Sequence, residues 1–174
     1  MTDKGANLDP QIRLIAAGLA EKPVLANLLE LYMHDFCDFL NLELRPDGRF
    51  GYKELDLYWS YPDRYAFLVY VNERLAGFVL VRGVRNGSHA TITWDVVEFF
   101  ILRSYRRRGI GIGVAHEVFR RFPGAWGVRV MESNRPACAF WKRAVAQFAG
   151  GTVESHLIER DGRMWNVFLF ESRN

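Results

Sequence analysis

The sequence predicts a single domain of the α/β (α+β) class, built on a twisted, mixed and mostly antiparallel sheet of about seven strands. Three observations predict it. The chain has 174 residues, the size of one domain with one sizeable core. Apolar residues make up 49% of it and charged residues 25%, enough buried surface to offset the ordering entropy and to exclude a disordered or fibrous chain. The hydrophobic period switches between 2 and 3.6 in the order strand, helix, short helix, three strands, helix, strand, helix, two strands. No repeat, low-complexity tract or linker interrupts residues 1–174, which are expected to form one domain.

Taken in order, residues 11–16 read as a first strand. Pro23 opens a helix to about Phe39, with Leu25, Leu28, Leu29, Tyr32, Phe36 and Phe39 on one buried face. Residues 41–62 mix Pro46, Gly48 and Gly51 with acids and aromatics, a loop with a short helix near 52–59. Residues 66–71 and 75–82 are strands joined through Asn72-Glu73-Arg74, and 91–102 is a longer strand after an Asn86-Gly87 turn. Gly109, Gly111 and Gly113 open a helix that stops before Pro123-Gly124, and residues 125–131 form the next strand. These three elements make a βαβ unit with parallel strands and a right-handed crossover. Pro136 opens the last helix, and residues 152–159 and 163–170 pair across Asp161-Gly162.

No apolar run approaches the ~20 residues of a membrane helix, and the first ten residues lack a secretory apolar stretch, so a cytoplasmic protein is expected. Cys37 and Cys138 have no metal-ligand spacing and are expected to be free, mostly buried thiols, and no metal site is expected. The net charge of +3 is unevenly spread: residues 103–143 carry ten basic residues against Glu117 and Glu132, so the rest of the chain is net negative. One part is suited to anions, another to cations.

The residues that carry chemistry are Arg106-Arg107-Arg108-Gly109-Ile110-Gly111, between a strand and a helix. Glycine lets backbone approach a ligand, the first turn of the helix offers unpaired N–H donors, and the helix dipole adds a positive end. Together these make a phosphate cradle, which three guanidinium groups adapt to a diphosphate. Gly109, Gly111 and Gly113 do not match the dinucleotide spacing, and no Gly-Lys-Ser/Thr triplet of a P-loop exists.

Arg106-x-x-Gly109-x-Gly111, the preceding strand segment Glu98 to Leu102, and Asn134-Arg135-Pro136-Ala137-Cys138-Ala139-Phe140-Trp141 resemble the GNAT superfamily of acyl-CoA-dependent N-acetyltransferases. The likeness in element order covers roughly residues 67–170. It implies helices on both faces of the sheet, a splayed parallel strand pair, and acetyl-CoA as co-substrate with its pantetheine arm in the gap. Phe99, Phe100 and Ile101 would bond that arm, with the Ile101 N–H polarising the thioester carbonyl. Arg106, Arg107, Arg108, Gly109, Ile110, Gly111 and Ile112 would hold the pyrophosphate. Asn134 would bond the cofactor or cap the last helix. Glu98 is the catalytic candidate, a base for the acceptor amine; a structural or surface acid is the other reading. Trp141 stands where the family carries a tyrosine acid, and an indole N–H is no proton donor, which leaves the acid unassigned.

The acceptor expected is a cationic small-molecule or peptide amine, drawn by Tyr32, Asp35, Asp38, Tyr52, Trp59 and Tyr61. A homodimer is possible. A nucleic-acid module would use the same arginines for phosphates, but the remainder of the chain is acidic and no recognisable nucleic-acid motif occurs, so no nucleic-acid partner is expected. An acyl-CoA-binding sensor or partner without catalysis is the alternative function.

Overall fold

The computed structural model describes residues 10–85 and 92–173. Its elements are β1 (Ile12–Ala16), α1 (Lys22–Phe36), α2 (Leu57–Ser60), β2 (Arg64–Val71), β3 (Arg74–Arg85) and β4 (Ile92–Ile101), then α3 (Ile110–Arg121), β5 (Gly124–Met131), α4 (Arg135–Ala149), β6 (Ser155–Arg160) and β7 (Arg163–Ser172). They form one seven-stranded sheet in the order β1-β2-β3-β4-β5-β7-β6. Every neighbouring pair is antiparallel except β4 and β5, as the βαβ reading requires.

The pleat sorts side chains to two faces, each covered by helices. Val79 and Val81 of β3 join Val114 and Phe119 of α3 and Trp141 and Val145 of α4 in one core. Phe78 and Leu80, the alternate residues, join Leu25, Leu29 and Tyr32 of α1 and Tyr58 of α2 in the other. Trp126 and Phe119 are essentially solvent-free and meet edge to face at 5.0 Å, a contact whose truncation to alanine costs about 3–5 kcal/mol.

Turn chemistry accounts for the hairpins. Asp161 and Gly162 take left-handed φ of 53° and 70°, as their sequence suggests. Asn72 and Glu73 adopt φ of 47° and 63° without a glycine, and Asn72 compensates by accepting the Gln11 N–H at 2.9 Å. The expected Asn86-Gly87 turn and Thr91 lie outside the described residues.

Three expectations are corrected. The first helix ends at Phe36 rather than near 39, because the Cys37 N–H already bonds back only three residues, to His34 O, at 3.2 Å. The expected helix at 52–59 is a single turn, Leu57–Ser60, after the Gly48 and Gly51 bends. Cys37 is exposed just past the end of α1, and Cys138, in the first turn of α4, packs against the core but is only half-buried.

Candidate active site

The parallel strands part almost at once. Among the described residues β4 and β5 pair only at Thr93↔Ala125 and Trp94↔Trp126, and beyond that point a cavity of about 380 Å³ opens between them. Strand N–H groups alternate in direction, and the Leu102 N–H bonds Ala76 O on the β3 side at 2.8 Å. The N–H groups of Ile101 and Phe99 therefore point the other way, into the gap. Val96, Phe99, Val130, Ala137 and Trp141 line the end of the cavity towards α4, whereas Tyr32, Tyr52, Glu98 and Arg129 line the end towards α1.

A β-bulge decides what faces α1. Leu80 pairs with Glu98 but Val81 pairs with Val96, which leaves Val97 as an extra residue in β4. The bulge puts Asp95 and Glu98, three apart, on the same face. Glu98 accepts the hydroxyl protons of Tyr32 and, at 3.0 Å, of Tyr52. Burial pushes its carboxyl up to about 7, with the two tyrosine bonds pulling the other way. Burial and the neighbouring Glu98 carboxylate raise the Tyr32 and Tyr52 phenols well above their usual range. Tyr52 is delivered from the loop by Glu30, whose carboxylate accepts the N–H groups of Phe50 (2.7 Å) and Gly51 (3.0 Å).

At the far end of β4 the chain bends through a 3-10 turn at Arg103–Tyr105 into the glycine loop. Arg106 turns inward: its Nε donates to Ile101 O at 2.6 Å, its Nη2 to Asp35 Oδ2 at 2.6 Å, and its guanidinium lies 5.6 Å from the Phe100 ring centre. Arg103 holds the other Asp35 oxygen at 2.7 Å. Partial burial would raise the Asp35 carboxyl, but the two guanidinium groups outweigh it and hold it below its ordinary value. Arg107, at φ 62°, and Arg108 are exposed. Gly109 caps α3 at φ 77°, a conformation glycine adopts without strain, and the next N–H groups of Ile110, Gly111 and Ile112 begin the helix. Gly111 is small for another reason: a Cβ there would stand 3.1 Å from the Phe140 ring.

A sequence model described as the acetyltransferase (GNAT) family matches residues 25–145. The chain belongs to the GNAT acetyltransferase family. No curated protein matches the sequence. Solved structures agree on the fold. An acetyltransferase from Thermus thermophilus is 18% identical, with a TM-score of 0.65 over 92% of this chain and 97% of the other. Spermidine N-acetyltransferase from Vibrio cholerae, solved with CoA and spermine, is 16% identical, with a TM-score of 0.62 over 93% and 96%. Arabidopsis thaliana NAA60, solved with acetyl-CoA, is 13% identical, with a TM-score of 0.58 over 92% and 98%.

Within this GNAT fold the predicted residues divide. Glu98, Phe99 and Asn134 line the cavity, and Ile101 presents its N–H towards the same gap. Ile110 is buried, so only its backbone is available to a ligand, and Phe100 is buried against α1. Asn134 is 8% exposed and its Oδ1 caps α4 by accepting the Ala137 N–H at 3.1 Å. Trp141 packs edge-on against Phe99 at 5.0 Å. Of the expected acceptor residues, Tyr32 and Tyr52 reach the cavity. Asp35 is committed to the two arginines, Trp59 bonds Ala17 O at 3.0 Å, and neither Asp38 nor Tyr61 lines the cavity. Sequence reasoning missed Asp95, Arg129 and Glu30, each of which acts through a partner on a different element, and Arg163, which the β6–β7 hairpin brings to the cavity.

Proposed function

We propose that this protein is an N-acetyltransferase that moves the acetyl group of acetyl-CoA to a primary amine of a small molecule or peptide, by direct attack in a ternary complex. The observation that carries the reading is Glu98: a carboxyl shifted to about 7, facing a gap between parting strands, beside backbone N–H groups of the same strand.

The chain fits the co-substrate. Exposed Arg107 and Arg108 and the first N–H groups of α3 suit a diphosphate, and the unladdered edges of β4 and β5 suit an amide-bearing arm. Bound acetyl-CoA supplies a thioester carbonyl that takes the amine nitrogen, the C–S bond breaking and its electron pair leaving on the thiolate. The Ile101 N–H faces the place where negative charge gathers on the carbonyl oxygen. Glu98 takes the proton that the ammonium must lose. Arg106 supports the loop from within, tying it to Ile101 and to Asp35 of α1. The tyrosine bonds keep the Glu98 carboxylate oriented, and their raised phenols are poor acids for the departing thiolate, which at an ordinary pKa of about 8.5 leaves unaided.

Calorimetric titration of acetyl-CoA, coupled to a thiol-release screen over amine classes, tests the reading. Saturable binding with amine-dependent release is expected. Binding without release for any amine would replace the enzyme with a silent acyl-CoA sensor.

A further inference from the structure

The half of the cavity towards α1 combines an apolar wall with cations. Met33, Phe36, Leu40 and Leu42 wall it on one side. On the sheet side, Arg129 pairs with Val167 and Met131 with Trp165, so the pleat sets Arg129, Met131, Trp165 and Arg163 on one face, and all four line the cavity. Among the described residues that line the cavity, Glu98 is the single acid.

The other nearby carboxylate, Asp95, lies beneath Arg129 with its side chain 6% exposed. Its Oδ2 accepts Arg82 at 3.0 and 2.8 Å and Arg129 at 2.5 Å, while its Oδ1 is buried without a hydrogen-bond partner among the described residues. One carboxylate shared by two guanidinium groups leaves that cluster positive. The Arg129 side chain remains 27% exposed, which turns part of its donor fork to the cavity. Arg163 has no carboxylate within ion-pair distance among the described residues. The acid of the adjoining hollow, Glu132, is held by Arg135 at 2.5 Å.

We propose that the acceptor is a small amino carboxylate: an α-amino acid with an apolar side chain, its amine at Glu98 and its carboxylate towards Arg129 and Arg163. The proposal rests on the acetyl-transfer reading and names its substrate class. A guanidinium fork matches a carboxylate and repels the second ammonium of a polyamine. The cavity, about 380 Å³ including its acyl end, has room for an acceptor of amino-acid size. Met33, Phe36, Leu40 and Leu42 receive the side chain. Glu98 takes the first proton from the ammonium, the N–C bond forms as the C–S bond breaks, and the thiolate leaves with the electron pair and then takes up the second proton of the nitrogen, giving an N-acetyl amino acid and free CoA thiol.

Thiol-release kinetics with acetyl-CoA at pH 8 compare phenylalanine, methionine and leucine with their carboxamides and with spermidine. Each acid is expected to exceed its amide about 10- to 100-fold in kcat/KM, the size of one charge-assisted pairing. The comparison is stringent, because the amide's less basic amine presents more free base at that pH. Arg163→Gln, at an exposed hairpin position, narrows the acid-to-amide ratio while its melting temperature stays at the parent's. Arg129→Gln would leave Asp95 with one partner and is the weaker test because it can unfold. Amides or spermidine equal to the acids, or an unchanged ratio in Arg163→Gln, overturn the proposal and leave acetyl transfer standing. Acetyl-CoA binding with no release for any amine overturns both.

Discussion

Glu98→Gln keeps the side chain's shape and its two tyrosine neighbours while removing the group that accepts a proton, and its effects on rate and stability have opposite signs. The folded carboxyl sits at about 7 against an ordinary 4.5. In the parent, turnover rises as Glu98 loses its proton, giving an acid limb centred near pH 7. The variant loses that limb and about 10²- to 10⁴-fold in rate. A second rise, at the amine's own pKa, persists in both. For stability, the folded state binds this proton more tightly than the unfolded chain does, so unfolding free energy falls as pH climbs from 4.5 through about 7. At about 1.4 kcal/mol per tenfold in proton affinity the difference is at most about 3 kcal/mol, and contact with the open cavity reduces it to about 1–3 kcal/mol. Glu98→Gln should therefore melt above the parent at pH 8 and level with it near pH 4, below the ordinary carboxyl value. Initial thiol-release rates from pH 5.5 to 9 and thermal melts at both pH values measure the two effects. An intact acid limb in the variant, or no gain in stability at pH 8, refutes the reasoning.

Three other substitutions probe the parts around that base. Tyr52→Phe removes one O–H that pulls the Glu98 carboxyl down, so the acid limb should move to higher pH by up to about one unit; a shift to lower pH would reverse the assignment of donor and acceptor. Arg107→Ala with Arg108→Ala should raise the KM for acetyl-CoA about tenfold and flatten its salt dependence without altering the melt, and an unchanged KM would place the diphosphate elsewhere. Gly77→Ala sets a Cβ only 2.0 Å from the Phe100 carbonyl oxygen, so β3 and β4 must separate; a loss of about 1–3 kcal/mol in urea unfolding is expected, and a neutral result would mean the strands already give way there.

Much of this molecule was legible from local chemistry. Asp161-Gly162 signalled a hairpin, Pro136 the start of the last helix with Asn134 as one candidate for its cap, and the glycines from 109 the opening of α3. Such signals act within a few residues of themselves, which is why they can be read in order along a chain. The period of two along β4 also placed Glu98 with Phe100 and Phe99 with Ile101 on opposite faces, as found.

What the amino-acid order determined by itself was the element sequence, the parallel βαβ unit and the family whose loop it carries. Tertiary structure alone decided the company Glu98 keeps. Tyr32 and Tyr52 reach it from 66 and 46 residues away, and Arg106, though partly exposed, directs one donor to Asp35, 71 residues distant. The bulge at Val97 then brought Asp95 and its two arginines to the same face, which a strict alternation forbids for residues three apart. The reason is physical: a bulge and a buried ion cluster arise from how three strands fit against one another, and no single strand's sequence contains that fit.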